Sequence, residues 1–187
     1  MKVTKGCFGY LKVQKKKEII RTIFYFALSI SIFLMGYVST GSKLNLLTVV
    51  AVLGCLPASK SAVSMIMYIK AGQCSQECYE QIKPYTDGTF MLYDLYLTSY
   101  QKNFQISAMA IKNNTVCGYT EDKKCDIAAG EKHIATVLQQ GGYGNLTVKL
   151  FTDCGKFRER LSQLGEIAEK KEEKEKAVAD IIRDVSL

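Results

Sequence analysis

No Asp, Glu, Lys or Arg occurs between Arg21 and Lys43, or between Lys43 and Lys60, whereas charge is frequent from Lys70 onward. This segregation constrains the fold more than any other feature. Residues 22–38 (TIFYFALSISIFLMGYV) are apolar on every face rather than along one stripe, the mark of a helix with no aqueous side. Extended to residue 42, the segment supplies the roughly 20 residues needed to cross about 30 Å of hydrocarbon. Whole-chain averages conceal this, because 48% hydrophobic and 23% charged residues describe an ordinary soluble domain.

A second apolar stretch, residues 44–69, contains Pro57 and Lys60. Lys60 falls about one turn inside the boundary, close enough for its ammonium to snorkel to the headgroups. Pro57 removes a backbone hydrogen bond, so residues 61–69 either continue the helix or lie along the interface. A turn at residues 39–42 makes the two spans an antiparallel hairpin. Lys2, Lys5, Lys12, Lys15, Lys16, Lys17 and Arg21 precede the first span, against Lys43 alone in the turn. This predicts a multi-pass cell-membrane protein with both termini cytoplasmic. A cleaved signal peptide is the competing reading, but Val38-Ser39-Thr40 is a poor small-x-small site and a second apolar segment follows at once. The tripeptides beginning at Asn113 and Asn145 and fitting the glycosylation pattern are read as turn and strand residues.

The net charge of +7 resides largely in the N-terminal arm. Lys15-Lys16-Lys17 beside a span sets topology and meets anionic lipid; no basic face with stacking aromatics follows, so nucleic acid is not an expected partner. Of seven cysteines, Cys7 lies in the arm and Cys55 in the second span. Cys74, Cys78, Cys117 and Cys125 are candidate zinc thiolates, although Cys-x3-Cys and Cys-x7-Cys are not the tight pairs of common structural sites. A cytoplasmic location favours reduced thiols, and no cofactor motif is found.

Beyond the membrane segment, turn signals separate short elements. Residues 75–83 read as a helix ended by Pro84; residues 89–99, 103–112 and 115–120 as strands, the last two joined by a hairpin at Asn113-Asn114. Residues 125–140 read as a helix stopped by Gly141-Gly142, residues 146–152 as a strand, and residue 155 onward as one long helix. The expectation is an α+β protein: a basic arm (1–21), a two-helix transmembrane hairpin (22–69), and a small cytoplasmic α-β-β-β-α-β-α unit (70–153) ending in a charged helix (154–187).

The glycines at 141, 142 and 144 close a helix and open a strand, the reverse of a phosphate loop, and are read as a turn. Cys154 and Arg160 stand where a strand gives way to a helix. Their Cys-x5-Arg spacing resembles the loop of cysteine-dependent phosphatases, which implies a thiolate nucleophile and an Arg holding phosphate oxygens. Asp153 opposes both charges, and the His preceding the cysteine in that family is absent. The element order also resembles that of restriction-endonuclease-like nucleases, which implies Asp94 and Glu121 as Mg²⁺ ligands and Lys123 at the phosphate. The only histidine, His133, lies mid-helix and is read as a packing or surface residue.

Heptad positions in the tail are Phe157, Leu161, Leu164, Ala168, Lys171, Glu175, Val178, Ile182 and Val185, seven of the nine apolar or Ala. Phe157, Leu161, Leu164, Val178 and Ile182 are therefore candidate interaction residues for a coiled coil and an oligomer. Two functions are expected. One is a membrane-anchored interaction or scaffold protein with an unknown protein partner; the alternative is a membrane-tethered hydrolase of phosphate esters.

Overall fold

The computed structural model describes residues 4–99, 102–167 and 172–187. The chain divides into two compact units, residues 12–70 and residues 1–11 with 71–187.

The first unit is two helices, α1 (Tyr10–Thr40) and α2 (Leu46–Lys70), both long and apolar enough to cross a membrane. At 1.5 Å per residue even α2 runs about 37 Å, more than the hydrocarbon thickness. Phe24, Leu34, Leu53 and Leu56 are exposed along them, while small residues are buried: Ser29 on α1 and Ala51, Ala58 and Ser61 on α2. A Cβ on Gly54 would come within 2.8 Å of Ser29 Oγ, and one on Gly36 within 2.7 Å of Leu47 Cβ. Close approach through small residues is how helices associate in lipid, where apolar burial gives no driving force. Ser61 Oγ joins the helices, lying 2.9 Å from Thr22 Oγ1 and accepting from Arg21 Nε at 3.4 Å. Asn45 caps α2, its Oδ1 accepting from Thr48 N–H at 2.8 Å. The helix is continuous through Pro57, so residues 61–69 extend α2.

The second unit is an α+β domain with element order α3 (Gln76–Ile82), β1 (Phe90–Thr98), β2 (Asn103–Lys112), β3 (Thr115–Tyr119), α4 (Ile127–Gln140), β4 (Thr147–Phe151), α5 (Cys154–Gly165) and α6 (Glu172–Val185), with a 3₁₀ turn at Lys83–Tyr85. The sheet order is β1-β2-β3-β4, the first two pairings antiparallel and β3–β4 parallel through the α4 crossover. The expected order of helices and strands is present, with one correction: the single long C-terminal helix is two helices. Gly165 ends α5 where a Cβ would stand 3.1 Å from the Asp87 carbonyl oxygen. Lys171 and Ala168 of the expected seam lie outside the described residues.

Residues 4–11 belong to this domain. Gly6 O accepts from Tyr93 N–H at 2.8 Å, Phe8 stacks on Tyr79 with ring centroids 4.2 Å apart, and Leu11 is buried. Farther along β1, Leu187 N–H donates to Tyr96 O at 2.9 Å. The two chain termini thus cover the edge that β1 would otherwise leave open to another strand.

Helices α4 and α6 pack on one sheet face, through Ile134, Leu138, Val178 and Ile182. Helices α3 and α5 pack on the other, through Cys78, Ile82, Phe157, Leu161 and Leu164. Alternation along β1 and β2 changes phase midway. Leu92 faces the first core, and so do Leu95 and Leu97; in β2, Phe104 and Ile106 face it, and so do Met109 and Ile111. Even-numbered residues give way to odd on one strand as on the other, although Tyr93 opposite Ala108 and Leu95 opposite Ile106 keep one register. Asp94 lies at the break with φ +53°, a left-handed conformation rarely adopted in a strand.

Candidate functional site

The left-handed turn of Asp94 gives its buried carboxylate a place beside the chain's departures from the sheet. Oδ2 accepts from Gly9 N–H at 2.7 Å and Oδ1 from Cys74 N–H at 2.8 Å, and the Leu11 amide also bonds to it. One side chain thus holds the residues on either side of the two-helix segment. Burial raises the Asp94 pKa, against the lowering effect of the three amides, while Glu121 adds to the rise.

The Cys74 amide fixes the start of α3. Ser75 is its N-cap, with Oγ accepting from Cys78 N–H at 3.1 Å. This bond brings Cys74, one residue before the cap, near Cys78 in the first turn. The third component comes from the far end of β3, where Glu121 N–H donates to Ser107 Oγ at 3.3 Å. Its carboxylate accepts from Ser75 N–H at 2.9 Å and from Ser75 O–H at 2.6 Å. The two Sγ atoms and a Glu121 oxygen all lie within 4.8 Å of one another, with both cysteines buried. The Cys74 thiol pKa is raised, first by its hydrogen bond to Cys78, then by burial and by the Cys78, Glu121 and Asp94 charges. Tyr93 and Tyr119 border the cluster, and burial pushes the Tyr119 phenol up to about 12. Two thiols and a carboxylate in one cluster constitute a donor set for a metal ion.

Of the expected zinc cysteines, Cys74 and Cys78 come together. Cys117 lies in the same core but beside Arg160, with its pKa raised mainly by burial. Cys125 packs against the opposite core, next to Asp122.

Of the nuclease trio, Asp94 and Glu121 are electrostatic neighbours. Both Asp94 oxygens accept backbone N–H groups, however, and Lys123 is exposed on the loop beyond. The phosphatase pair does not form a loop around an anion. Asp153 Oδ1 accepts from Gly155 N–H at 2.7 Å and Lys156 N–H at 3.4 Å, the amides an incoming phosphate would need. Arg160 Nη1 donates to Gln163 Oε1 at 2.9 Å, and the Cys154 thiol meets Gln81 Oε1 at 3.5 Å. Burial raises the Cys154 pKa, and Cys78 adds to it, whereas a nucleophile requires the opposite shift.

The candidate interaction residues Phe157, Leu161, Leu164, Val178 and Ile182 are buried in the domain's own two cores. His133 packs against Phe104 with ring centroids 5.6 Å apart. Missing from the sequence reading was the link between Glu121 and the Cys74/Cys78 pair through Ser75. The Ser-x-x-Cys cap was its one local trace, and 46 residues separate Ser75 from Glu121.

Comparison of the chain with protein-family models, with curated proteins and with solved structures finds no match.

Proposed function

We propose that the chain is a membrane-anchored protein whose α+β domain stands on the cytoplasmic face and acts by binding a partner there. The observation that carries this reading is the split domain. Residues 4–11 and residues 71–187 belong to one fold, so a membrane segment between them must leave and return on the same side. Two crossings satisfy that requirement and one does not. The basic residues Lys12, Lys15, Lys16, Lys17 and Arg21 at the domain end of α1, against Lys43 in the turn, favour the cytoplasm for that side. The packing of Gly6, Phe8 and Leu11 into the domain also supports retention of the first helix, since cleavage near residue 40 would strip these contacts away.

Binding is favoured over phosphate-ester hydrolysis because Asp94 and Glu121 are engaged by backbone amides and Ser75, and Cys154 and Arg160 by Gln81 and Gln163. A reporter active only in the cytoplasm should work when fused after Leu187, and an externally active one when inserted at Gly41. External activity at Leu187 would overturn the orientation. Full-length protein in detergent should hydrolyse neither a phosphomonoester nor DNA. A measurable activity lost in Cys154→Ser or Glu121→Ala would instead establish the hydrolase.

A further inference from the structure

We propose that Cys74, Cys78 and Glu121 bind a single borderline-soft divalent cation of the zinc class, leaving one coordination position open. The inference rests on the geometry of the α+β domain and is independent of membrane topology.

The donor type fits first. Two thiolates select zinc-like ions over Mg²⁺ or Ca²⁺, and a carboxylate is a common third ligand. Spacing fits next: metal–ligand bonds of about 2.0–2.3 Å at tetrahedral angles put donors about 3.5–3.8 Å apart. The 4.8 Å limit that encloses these three atoms leaves about an ångström to close, within reach of χ rotation at Glu121. Its two oxygens each carry a second lone pair beyond the Ser75 hydrogen bonds.

The surroundings fit as well. Metal ligands are ordinarily held by a further layer of hydrogen bonds. Here Asp94 fixes the Cys74 backbone, Ser75 orients Glu121 and caps Cys78, and Ser107 holds the Glu121 amide. The charged groups acting on Cys74 are the anions Glu121 and Asp94, and the phenols of Tyr93 and Tyr119 face the same cluster. Arg160, in the same core, is engaged at Cys117. Binding displaces the Cys74 and Cys78 protons to solvent, and with Glu121 coordinating through its carboxylate the occupied site carries a net charge of −1.

The test uses full-length protein in detergent, kept reduced with a phosphine. Zinc measured by mass spectrometry should reach one equivalent, and Co²⁺ should produce thiolate-to-metal charge-transfer absorption. Cys78→Ser should weaken Co²⁺ binding by more than about a hundredfold, beyond the 10- to 100-fold usual for groups that only support a ligand, and halve the charge-transfer intensity per metal. Glu121→Gln should weaken binding while retaining the full intensity, and Cys125→Ser should change neither. Because Cys78 is buried and its replacement also perturbs packing, alkylation of the wild type supplies a second readout. Zinc should shield Cys74 and Cys78, and not Cys7, from iodoacetamide. Absence of stoichiometric metal, equal alkylation with and without zinc, or a Cys74–Cys78 disulfide persisting in place of metal under reduction would each overturn the assignment.

Discussion

Asp94 concentrates in one side chain the junction between the two chain segments of the domain, and its replacement separates bonding from backbone strain. In Asp94→Ala the amides of Gly9 and Cys74 lose acceptors now at 2.7 and 2.8 Å. An unsatisfied buried donor costs about 1–3 kcal/mol, so the pair amounts to about 2–6 kcal/mol. Asp94→Asn keeps one acceptor, tolerates the φ of +53°, and should cost about 1–3 kcal/mol. Asp94→Gly loses both bonds but relieves a left-handed conformation costing of order 1 kcal/mol. The stability order should therefore be wild type, Asn, Gly, Ala. For a domain of this size each kcal/mol moves the melting temperature by roughly 4 °C, readable from near-ultraviolet tyrosine dichroism of the full chain in detergent. Hydrogen exchange supplies the local measurement. A loss of 1.4 kcal/mol is tenfold in rate, and peptides covering residues 6–11 and 72–76 should accelerate by at least that factor in the Ala variant. Unchanged melting with unchanged exchange, or a Gly variant less stable than Ala, would refute the reasoning.

Burial depresses the His133 pKa below its ordinary value of about 6.5. The unfolded chain therefore binds the proton more readily, and the stability present above pH 6.5 is lost as pH falls through the folded value. His133→Phe should keep the packing on Phe104 and flatten the decline in melting temperature between about pH 7 and 5; parallel profiles would count against this account. Val178→Lys with Ile182→Lys should unfold the domain without first releasing a monomer from an oligomer. Each change forfeits about 1.5–3 kcal/mol of apolar burial before any charge cost, and dissociation with an intact dichroism spectrum would restore the seam between chains. Glu175 Oε1 accepts from Asn113 N–H at 3.0 Å, so Glu175→Ala should cost about 1–3 kcal/mol while Glu175→Gln costs less, as measured by thermal denaturation.

Local physics was readable in the sequence. The charge-free segments gave the two long helices, Asn113 marked the β2–β3 hairpin, and Gly141-Gly142 ended α4. Strands β1 and β2, expected at 89–99 and 103–112, lie at 90–98 and 103–112, but the shift in alternation at Asp94 was not legible. The tail's heptad spacing fits two arrangements. Phe157, Leu161 and Leu164 repeat like a coiled-coil seam, but two helices covering opposite faces of one sheet need the same spacing. Only burial distinguishes these cases. The cysteine cluster was half legible: Cys74 and Cys78 are neighbours in sequence, whereas Glu121 reaches them only through strand pairing.

The division of the domain around the hairpin also orders events during synthesis. Residues 4–11 leave the ribosome first, yet Gly9 meets its carboxylate 85 residues later in the chain. Until Asp94 emerges, the earliest segment has no place to dock. In a free chain, closing so long a loop would carry an entropic cost. If α1 and α2 are seated in the bilayer as proposed, the hairpin returns the chain close to its point of departure and removes much of that cost before the sheet forms.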